Sequence, residues 1–480
     1  MSLPLELDGP GLRRLLDEVG RRLGHFLDTL ATQPAVESAG RDRLATALRE
    51  PLPEEGRSVG SVMALIFERI VPIALHTAGG GYLGYIPGGG LPHSGVADLI
   101  ADVTNRYVGL WQAAPGLVEL ESAVIRWLAQ ELGMGPQAGG LLTTGGSMAN
   151  FTAIVTARRE RLPENFLGGR IYTSVETHHS VKKAAILAGF PERAVRVLPV
   201  DAERRLREDA LSAAILEDRA AGLSPFLLVS TAGSTPTGAV DDLQSLGALC
   251  AAEGLWHHVD GAYGGAFCLT ARGKAALAGI GAADSVALDP HKGLFLPYGT
   301  GALLVRDPEA LRRAHALTAS YLPPMETDPR RWDFAELGPE LSRDARGLRL
   351  WLPLMLCGAR AFREALDEKL DLARVAHAEI AAWPGVRCIS APALSLFAFR
   401  MEGVDDPNVW NRSWLLRANA GRRVFLTGVE VDGLFTLRLC VLSFRTHAAQ
   451  VGLAIEALAE AAASLGRPVR DGPPADPPLV

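Results

Sequence analysis

Between residues 140 and 306 the chain alternates short apolar, β-branched runs with stretches of helical periodicity, and no other feature limits the fold as strongly. The runs are Ile171–Val175, Ala194–Pro199, Phe226–Ser230, Trp256–Asp260, Ser285–Asp289 and Ala302–Arg306, most of them bounded by Gly, Pro or Asp. Strands joined through helices need crossover connections, so neighbouring strands run parallel and helices cover the sheet. The expected class is therefore α/β, with a large domain over 76–355 built on a mostly parallel sheet flanked by helices. Ligands of such sheets bind beyond the carboxyl ends of the strands. Ahead of it, 1–75 reads as a helical segment: Leu12, Leu15, Leu16, Val19, Leu23 and Phe26 recur at helical spacing, and Ser58–His76 forms a second helical stretch. After Leu350 a long helical stretch through about Ala382 leads into a small C-terminal α/β domain, 356–466, and the proline-rich residues 467–480 are expected to be disordered.

One segment belongs to no regular element. Residues 79–90, Gly-Gly-Gly-Tyr-Leu-Gly-Tyr-Ile-Pro-Gly-Gly-Gly, suit a backbone that turns tightly or lies close against another surface. Tyr82, Tyr85 and Pro87 argue against the alternative, a flexible connector.

Composition excludes several classes. The 480 residues are 48% hydrophobic and 21% charged, unlike a disordered chain, and the net charge of 48 − 54 = −6 offers no basic face for nucleic acid. The five cysteines are scattered, odd in number and without a CxxC, which argues against a disulfide framework or a metal site and for a reducing compartment. With no signal-peptide pattern and no apolar run of membrane-spanning length, the expectation is a soluble cytoplasmic protein with no membrane or nucleic-acid partner.

Three segments carry chemistry. Leu141-Leu-Thr-Thr-Gly145-Gly146-Ser147-Met-Ala-Asn150 runs from an apolar strand into an apolar helical stretch. Its glycines free backbone N–H groups, Ser147 adds a hydroxyl and a helix begins there, which suits a phosphate. It is neither a P-loop nor GxGxxG; an ordinary cap after a tight turn is the alternative. In Trp256-His-His-Val-Asp260-Gly-Ala262-Tyr-Gly-Gly, Asp260 ends a buried strand, where its carboxylate can pair with a protonated ring nitrogen or cap the following turn. In Ser285-Val-Ala-Leu-Asp289-Pro-His291-Lys292-Gly, a lysine follows a buried strand beside a histidine, whereas most lysines lie on solvated faces. A desolvated lysine beside another cation can form a Schiff base with an aldehyde. A phosphate cradle, an acid for a ring nitrogen and a Schiff-base lysine are together what pyridoxal 5′-phosphate (PLP) needs.

With these motifs the chain resembles the group II PLP-dependent amino-acid decarboxylases, the family of aromatic-amino-acid, histidine, tyrosine and glutamate decarboxylases, from about Gly84 to Arg445. Asp289-Pro-His-Lys292 is similar to the family's Asn-Pro-His-Lys, and His258-Val-Asp-Gly-Ala-Tyr263 to its His-Val-Asp-Ala-Ala-Tyr. Thr177-His-His-Ser-Val-Lys-Lys-Ala184 is similar to the segment bearing a ring-stacking histidine, and Ser342-Arg-Asp-Ala-Arg-Gly-Leu-Arg-Leu-Trp351 to a stretch that follows the catalytic loop. The resemblance implies a fold type I PLP-dependent transferase-like architecture, a homodimer, and decarboxylation of an L-amino acid, aromatic ones included, to the amine and carbon dioxide. Lys292 would carry the cofactor as a Schiff base, Asp260 would pair with the pyridine nitrogen, and Ala262 would pack on one ring face. His178, rather than its neighbour His179, would stack on the other. Gly145, Gly146 and Ser147 would bind the phosphate, Thr235 would lie near the ring hydroxyl, and Asp289 and His291 would complete the cofactor site.

The departures bear on substrate and outcome. Asp289 replaces an asparagine, and an acid near a phosphate is unfavourable unless protonated, paired or turned away. Gly88 and Gly109 stand where aromatic-amino-acid members carry threonine and phenylalanine, which would enlarge or reshape the substrate end; Tyr85, Pro87 and Tyr107 are candidate pocket residues or ordinary interface residues. Counting back from Arg346 puts Phe334 at the loop position of a proton-donating tyrosine, where related aldehyde synthases also carry phenylalanine and consume dioxygen; Tyr321 is the other candidate for that position. Oxidative aldehyde synthesis, or a lyase or transaminase on the same fold, is thus the second reading, and a non-catalytic homologue the third. Arg438 and Arg445 are expected in surface salt bridges or at a substrate carboxylate, and Trp111–Pro115 with Glu119 and Glu121 in core packing or near the substrate.

Overall fold

The computed structural model describes residues 5–36, 40–317, 328 and 331–470. Tyr321, Arg330 and the tail 471–480 lie outside them, whereas Arg467–Arg470 are placed, with Val469 buried in the C-terminal core.

Seven strands make the large sheet: β1 (Gly139–Thr143), β2 (Gly169–Ser174), β3 (Val195–Leu198), β4 (Ser224–Thr231), β5 (Trp256–Asp260), β6 (Ser285–Leu288) and β7 (Gly301–Val305). Their order is β1-β7-β6-β5-β4-β2-β3. The pairs among β2 to β6 are parallel, while β7 runs antiparallel to both β6 and β1. The two reversals leave β1 pointing the same way as β6. The carboxyl ends of β1, β2, β4, β5 and β6 therefore meet at one edge, joined by the amino end of β7, where Gly301 pairs with Thr143. β5 and β6 are buried along their whole length, as a sheet covered on both faces requires.

A second sheet, antiparallel, has β8 (Val386–Cys388), β9 (Leu396–Met401), β10 (Thr427–Val431) and β11 (Leu434–Cys440) in the order β10-β11-β9-β8. Helices Pro407–Ala420 and Ala448–Ser464 pack on it around Trp414, Val451 and Leu458. The long stretch Arg346–Ala381 breaks at Gly358 (φ 76°) and passes from the large core, through Phe362, Leu366 and Leu370, to the small one at Leu372 and Ala376. Among the described residues no helix is long and apolar enough to cross a membrane.

The glycine-rich segment is no loose connector. Leu83 N–H donates to the Phe425 carbonyl at 2.9 Å, and the Tyr82 and Phe425 rings stack at 5.3 Å. A Cβ at Gly80 would lie 2.3 Å from the Arg445 carbonyl oxygen and one at Gly88 only 2.1 Å from that of His291. The segment is a strap pressed between the small sheet and the turn that bears Lys292, and only glycine permits that approach.

Candidate active site

Each strand end at the common edge contributes a turn. After β1 the chain reverses through Gly145 at φ 151° and ψ 171°, a conformation that only glycine adopts at little cost. Helix Gly146–Arg161 starts there with no side-chain cap, so its first N–H groups and the Ser147 hydroxyl remain for an anion. A Cβ at Gly146 would meet Ala262 Cβ and Asp289 Oδ2 at 3.0 Å, so the cradle closes tightly on the turns after β5 and β6.

After β5, buried Asp260 accepts the Ala262 N–H at 3.2 Å through Oδ1 and the Asn150 amide at 3.0 Å through Oδ2. After β6, Lys292 projects from the short turn Pro290–Gly293, and its Nζ lies 3.0 Å from Asp289 Oδ2. The acid that replaces asparagine is therefore paired, and its partner is the key lysine. His291 Nδ1 lies 2.7 Å from the Thr300 carbonyl, which can only accept, so that nitrogen carries the proton; Nε2 lies 3.7 Å from Asp289 Oδ2. After β2, His178 caps helix His179–Leu187 by accepting the Ser180 N–H, and burial lowers its pKa below the ordinary histidine value.

These turns enclose a cavity of about 350 Å³. Its lining includes every residue expected to hold the cofactor: Gly145, Gly146, Ser147, His178, Thr235, Asp260, Ala262, Asp289, His291 and Lys292. PLP fits this chemistry. Free N–H donors suit its phosphate, Asp260 its ring nitrogen and Lys292 its aldehyde. Two buried atoms at the cavity, Thr231 Oγ1 and Asp289 Oδ1, have no hydrogen-bond partner, as expected where a polar ligand completes the site. Among the described residues no cluster of His, Cys, Asp and Glu is arranged to hold a metal ion.

The substrate candidates are not brought to this cavity. Phe334 is buried among Val108, Leu141 and Leu337, with the Arg343 guanidinium 4.6 Å over its ring. Tyr107 donates its hydroxyl to the Leu341 carbonyl at 3.0 Å, Tyr85 is exposed at φ 50°, and Pro87 is buried in the strap. Nor do the two glycines open space: at Gly109 a Cβ would lie 2.4 Å from the Tyr107 hydroxyl, and Gly88 is already filled against His291. Arg438 is buried rather than salt-bridged at the surface, donating at 3.3 Å to Thr427 Oγ1 and at 3.4 Å to the Tyr85 carbonyl. Arg445 holds the strap through the Ala78 and Gly89 carbonyls at 3.0 and 2.7 Å. Glu121 braces β1, accepting the Leu142 N–H at 3.0 Å and Arg343 at 2.7 Å, which favours its packing role.

Sequence reasoning missed Asn150, Ser180 and Thr231, which also line the cavity. Asn150 had a readable signal: it follows Ser147 by three residues on the same helix and so faces the same side. Thr231 ends a strand beside Asp260, with which it pairs in register.

Comparison with known proteins agrees with this geometry. Residues 44–402 match the pyridoxal-dependent decarboxylase conserved domain. The chain is 32% identical over 469 residues to an aromatic-L-amino-acid decarboxylase of Bacillus atrophaeus, covering 96% of this chain and 98% of that one. It is 26% identical to the phenylacetaldehyde synthase of Arabidopsis thaliana, over 90% of this chain and 94% of that one. The crystal structure of Oryza sativa TDC with PLP and tryptamine shares the fold at a TM-score of 0.91 and 24% identity, covering 97% of this chain and all of that one. Fold, cavity and sequence converge: the chain belongs to the pyridoxal-dependent decarboxylase family and is a PLP-dependent carboxy-lyase.

Proposed function

We propose that this carboxy-lyase acts on an aromatic L-amino acid, releasing the amine and carbon dioxide from the cavity at the carboxyl edge of the large sheet. One observation carries the lyase reading: Lys292, Asp260 and an uncapped helix N-terminus face the same 350 Å³ space; likeness to the Bacillus atrophaeus decarboxylase supports the aromatic class. When bound, PLP supplies the electron sink that cleavage of the bond between Cα and the carboxylate requires. The protein supplies orientation and charge. The N–H groups of Gly146 and Ser147 bind the phosphate, and the Asp260 carboxylate holds a proton on the ring nitrogen. Lys292 Nζ would hold the cofactor aldehyde and, once displaced by the substrate amine, can deliver the one proton that replaces carbon dioxide at Cα, with Asp289 Oδ2 at 3.0 Å as its counter-charge. The His178 ring, half-buried and uncharged at neutral pH because burial lowers its pKa, would pack on the ring face and offer one N–H to the substrate carboxylate.

The relative identified as a phenylacetaldehyde synthase makes the product the deciding measurement. Purified protein loaded with PLP is expected to yield amine and carbon dioxide in equal amounts from at least one of phenylalanine, tyrosine, tryptophan, histidine and their hydroxylated derivatives, without peroxide. Aldehyde with peroxide and ammonia would replace the decarboxylase reading by oxidative cleavage. Turnover confined to acidic amino acids would overturn the aromatic class.

Two chains are proposed to pair. Helix Gly9–Thr29 buries only Gly11 and exposes Leu23 and Leu27, and helix Pro92–Thr104 exposes Val96, Leu99, Ile100 and Val103. Apolar faces of this extent support an interface. Light scattering on the full chain is expected to give about twice 51.0 kDa, and a mass of one chain at micromolar concentration contradicts the pairing.

A further inference from the structure

Behind the cavity wall runs a chain of hydrogen bonds whose direction is fixed at Asp260, a carboxylate that can only accept. The Trp256 indole N–H, which can only donate, lies 2.8 Å from Ser285 Oγ. Its oxygen has two lone pairs, so Ser285 can still either donate to or accept from His258 Nδ1, also at 2.8 Å. His258 is fully buried, and burial drives its pKa down to about 4, so it is neutral and carries one ring proton. Because the Asn150 amide nitrogen must face Asp260, its oxygen faces His258 Nε2 at 2.9 Å; that nitrogen carries the proton, and Ser285 donates to Nδ1. The Asn150 amide nitrogen then faces two acceptors, Asp260 Oδ2 at 3.0 Å and Ser180 Oγ at 3.2 Å. Ser180, having accepted, gives its hydrogen to His178 Nδ1 at 2.8 Å, which also receives the Ser180 N–H at 3.3 Å. His178 is left with its proton on Nε2. Asn150 and Ser285 are 1% and 0% exposed, so water does not compete with these bonds.

We propose that Asn150 is a positioning residue that ties together the two groups flanking the cofactor ring, fixing Asp260 as an acceptor through one amide hydrogen and, through Ser180, the tautomer of His178 with the other. Trp256, Ser285 and His258 form the arm that keeps the Asn150 amide from turning over. A reversed amide would set its oxygen against the Asp260 carboxylate and force His258 to its other tautomer, a repulsion and a rearrangement in a buried space. The ring-nitrogen contact and the carboxylate donor are thereby set by one residue that need not touch a reacting atom. This inference rests on the reading of the cavity as a PLP site.

The test uses full-length protein reconstituted with PLP carrying ¹⁵N at the ring nitrogen. Asn150→Ala is expected to move the ring-nitrogen resonance toward its unprotonated value and to weaken cofactor binding about tenfold. Ser180→Ala severs only the His178 branch; it is expected to leave the nitrogen resonance and cofactor Kd at wild-type values and to lower kcat/KM about tenfold. Ser285→Ala, outside the cavity, frees the His258 tautomer and is expected to shift the nitrogen resonance in the same direction as Asn150→Ala, by less. It also carries the test should Asn150→Ala fail to fold. Wild-type resonance and Kd in Asn150→Ala or, failing that, in Ser285→Ala overturn the proposal, as does a Ser180→Ala variant that shifts the nitrogen as far as Asn150→Ala. If the wild-type protein takes up no cofactor, the functional reading falls and this inference with it; normal uptake and turnover with an unresponsive nitrogen overturn this inference alone.

Discussion

Lys292→Ala is expected to lower carbon dioxide release by ~10³-fold or more, the largest loss from any single side chain of this protein. Its amine is the one the structure aims into the cavity, and no other residue lining that space can hold an aldehyde covalently. The variant has a second consequence that follows from Asp289. That carboxylate is 2% exposed, its Oδ1 has no partner, and its Oδ2 relies on Lys292 Nζ at 3.0 Å. Removing the amine strands a buried charge, a change that typically costs about 3–5 kcal/mol. Cofactor-free Lys292→Ala should therefore melt well below wild type. Lys292→Arg separates the two roles. A guanidinium keeps the counter-charge but does not deprotonate to a nucleophile, so this variant should regain much of the stability and none of the activity. The comparison is made by thermal melts beside turnover; an alanine variant that melts like wild type would show that Asp289 does not depend on the lysine.

Asp260→Asn is expected to lower kcat on the order of 100-fold, the worth of a charge-assisted contact to the ring nitrogen. The substitution conserves shape, and its carbonyl oxygen still accepts from the Ala262 N–H or from Asn150, now 3.2 and 3.0 Å from the two carboxylate oxygens. What it loses is the charge that keeps a proton on the pyridine nitrogen and hence the ring's power to accept electrons. The fall should appear in kcat far more than in KM, because the lost interaction strengthens as charge develops. Steady-state kinetics check this, and an Asp260→Asn variant with wild-type kcat would remove the acid from the account.

The chemistry was more legible in the sequence than its setting. Alternation of apolar runs with helical stretches predicted the parallel core because burial on both faces leaves segments such as Phe226–Val229 and Val286–Leu288 continuously apolar. The cradle at Gly145 and the lysine at Lys292 stood out because glycines before a helix and a lysine after a buried strand are costly unless used. What local pattern could not show was tertiary. The strap 79–90 reads as glycine-rich either way; only the 2.1 Å approach of Gly88 to His291 explains the missing side chain. Gly109 likewise yields to Tyr107, so a smaller residue did not mean a larger pocket. Phe334 was located by counting through a segment with no periodicity, and the fold seats it under Arg343 in an apolar cluster. Asn150 could be placed on the Ser147 face of its helix, but its partners lie 30, 108 and 110 residues away along the chain, beyond any local pattern.

The central claim, that this cavity holds PLP on Lys292, is met most directly by reducing the PLP-loaded protein with borohydride and mapping its peptides by mass. The account predicts one pyridoxyl phosphate per chain, on the peptide containing Lys292, and none in protein incubated without PLP. Label on Lys182, Lys183 or any other lysine in place of Lys292, or no label despite bound cofactor, would contradict it.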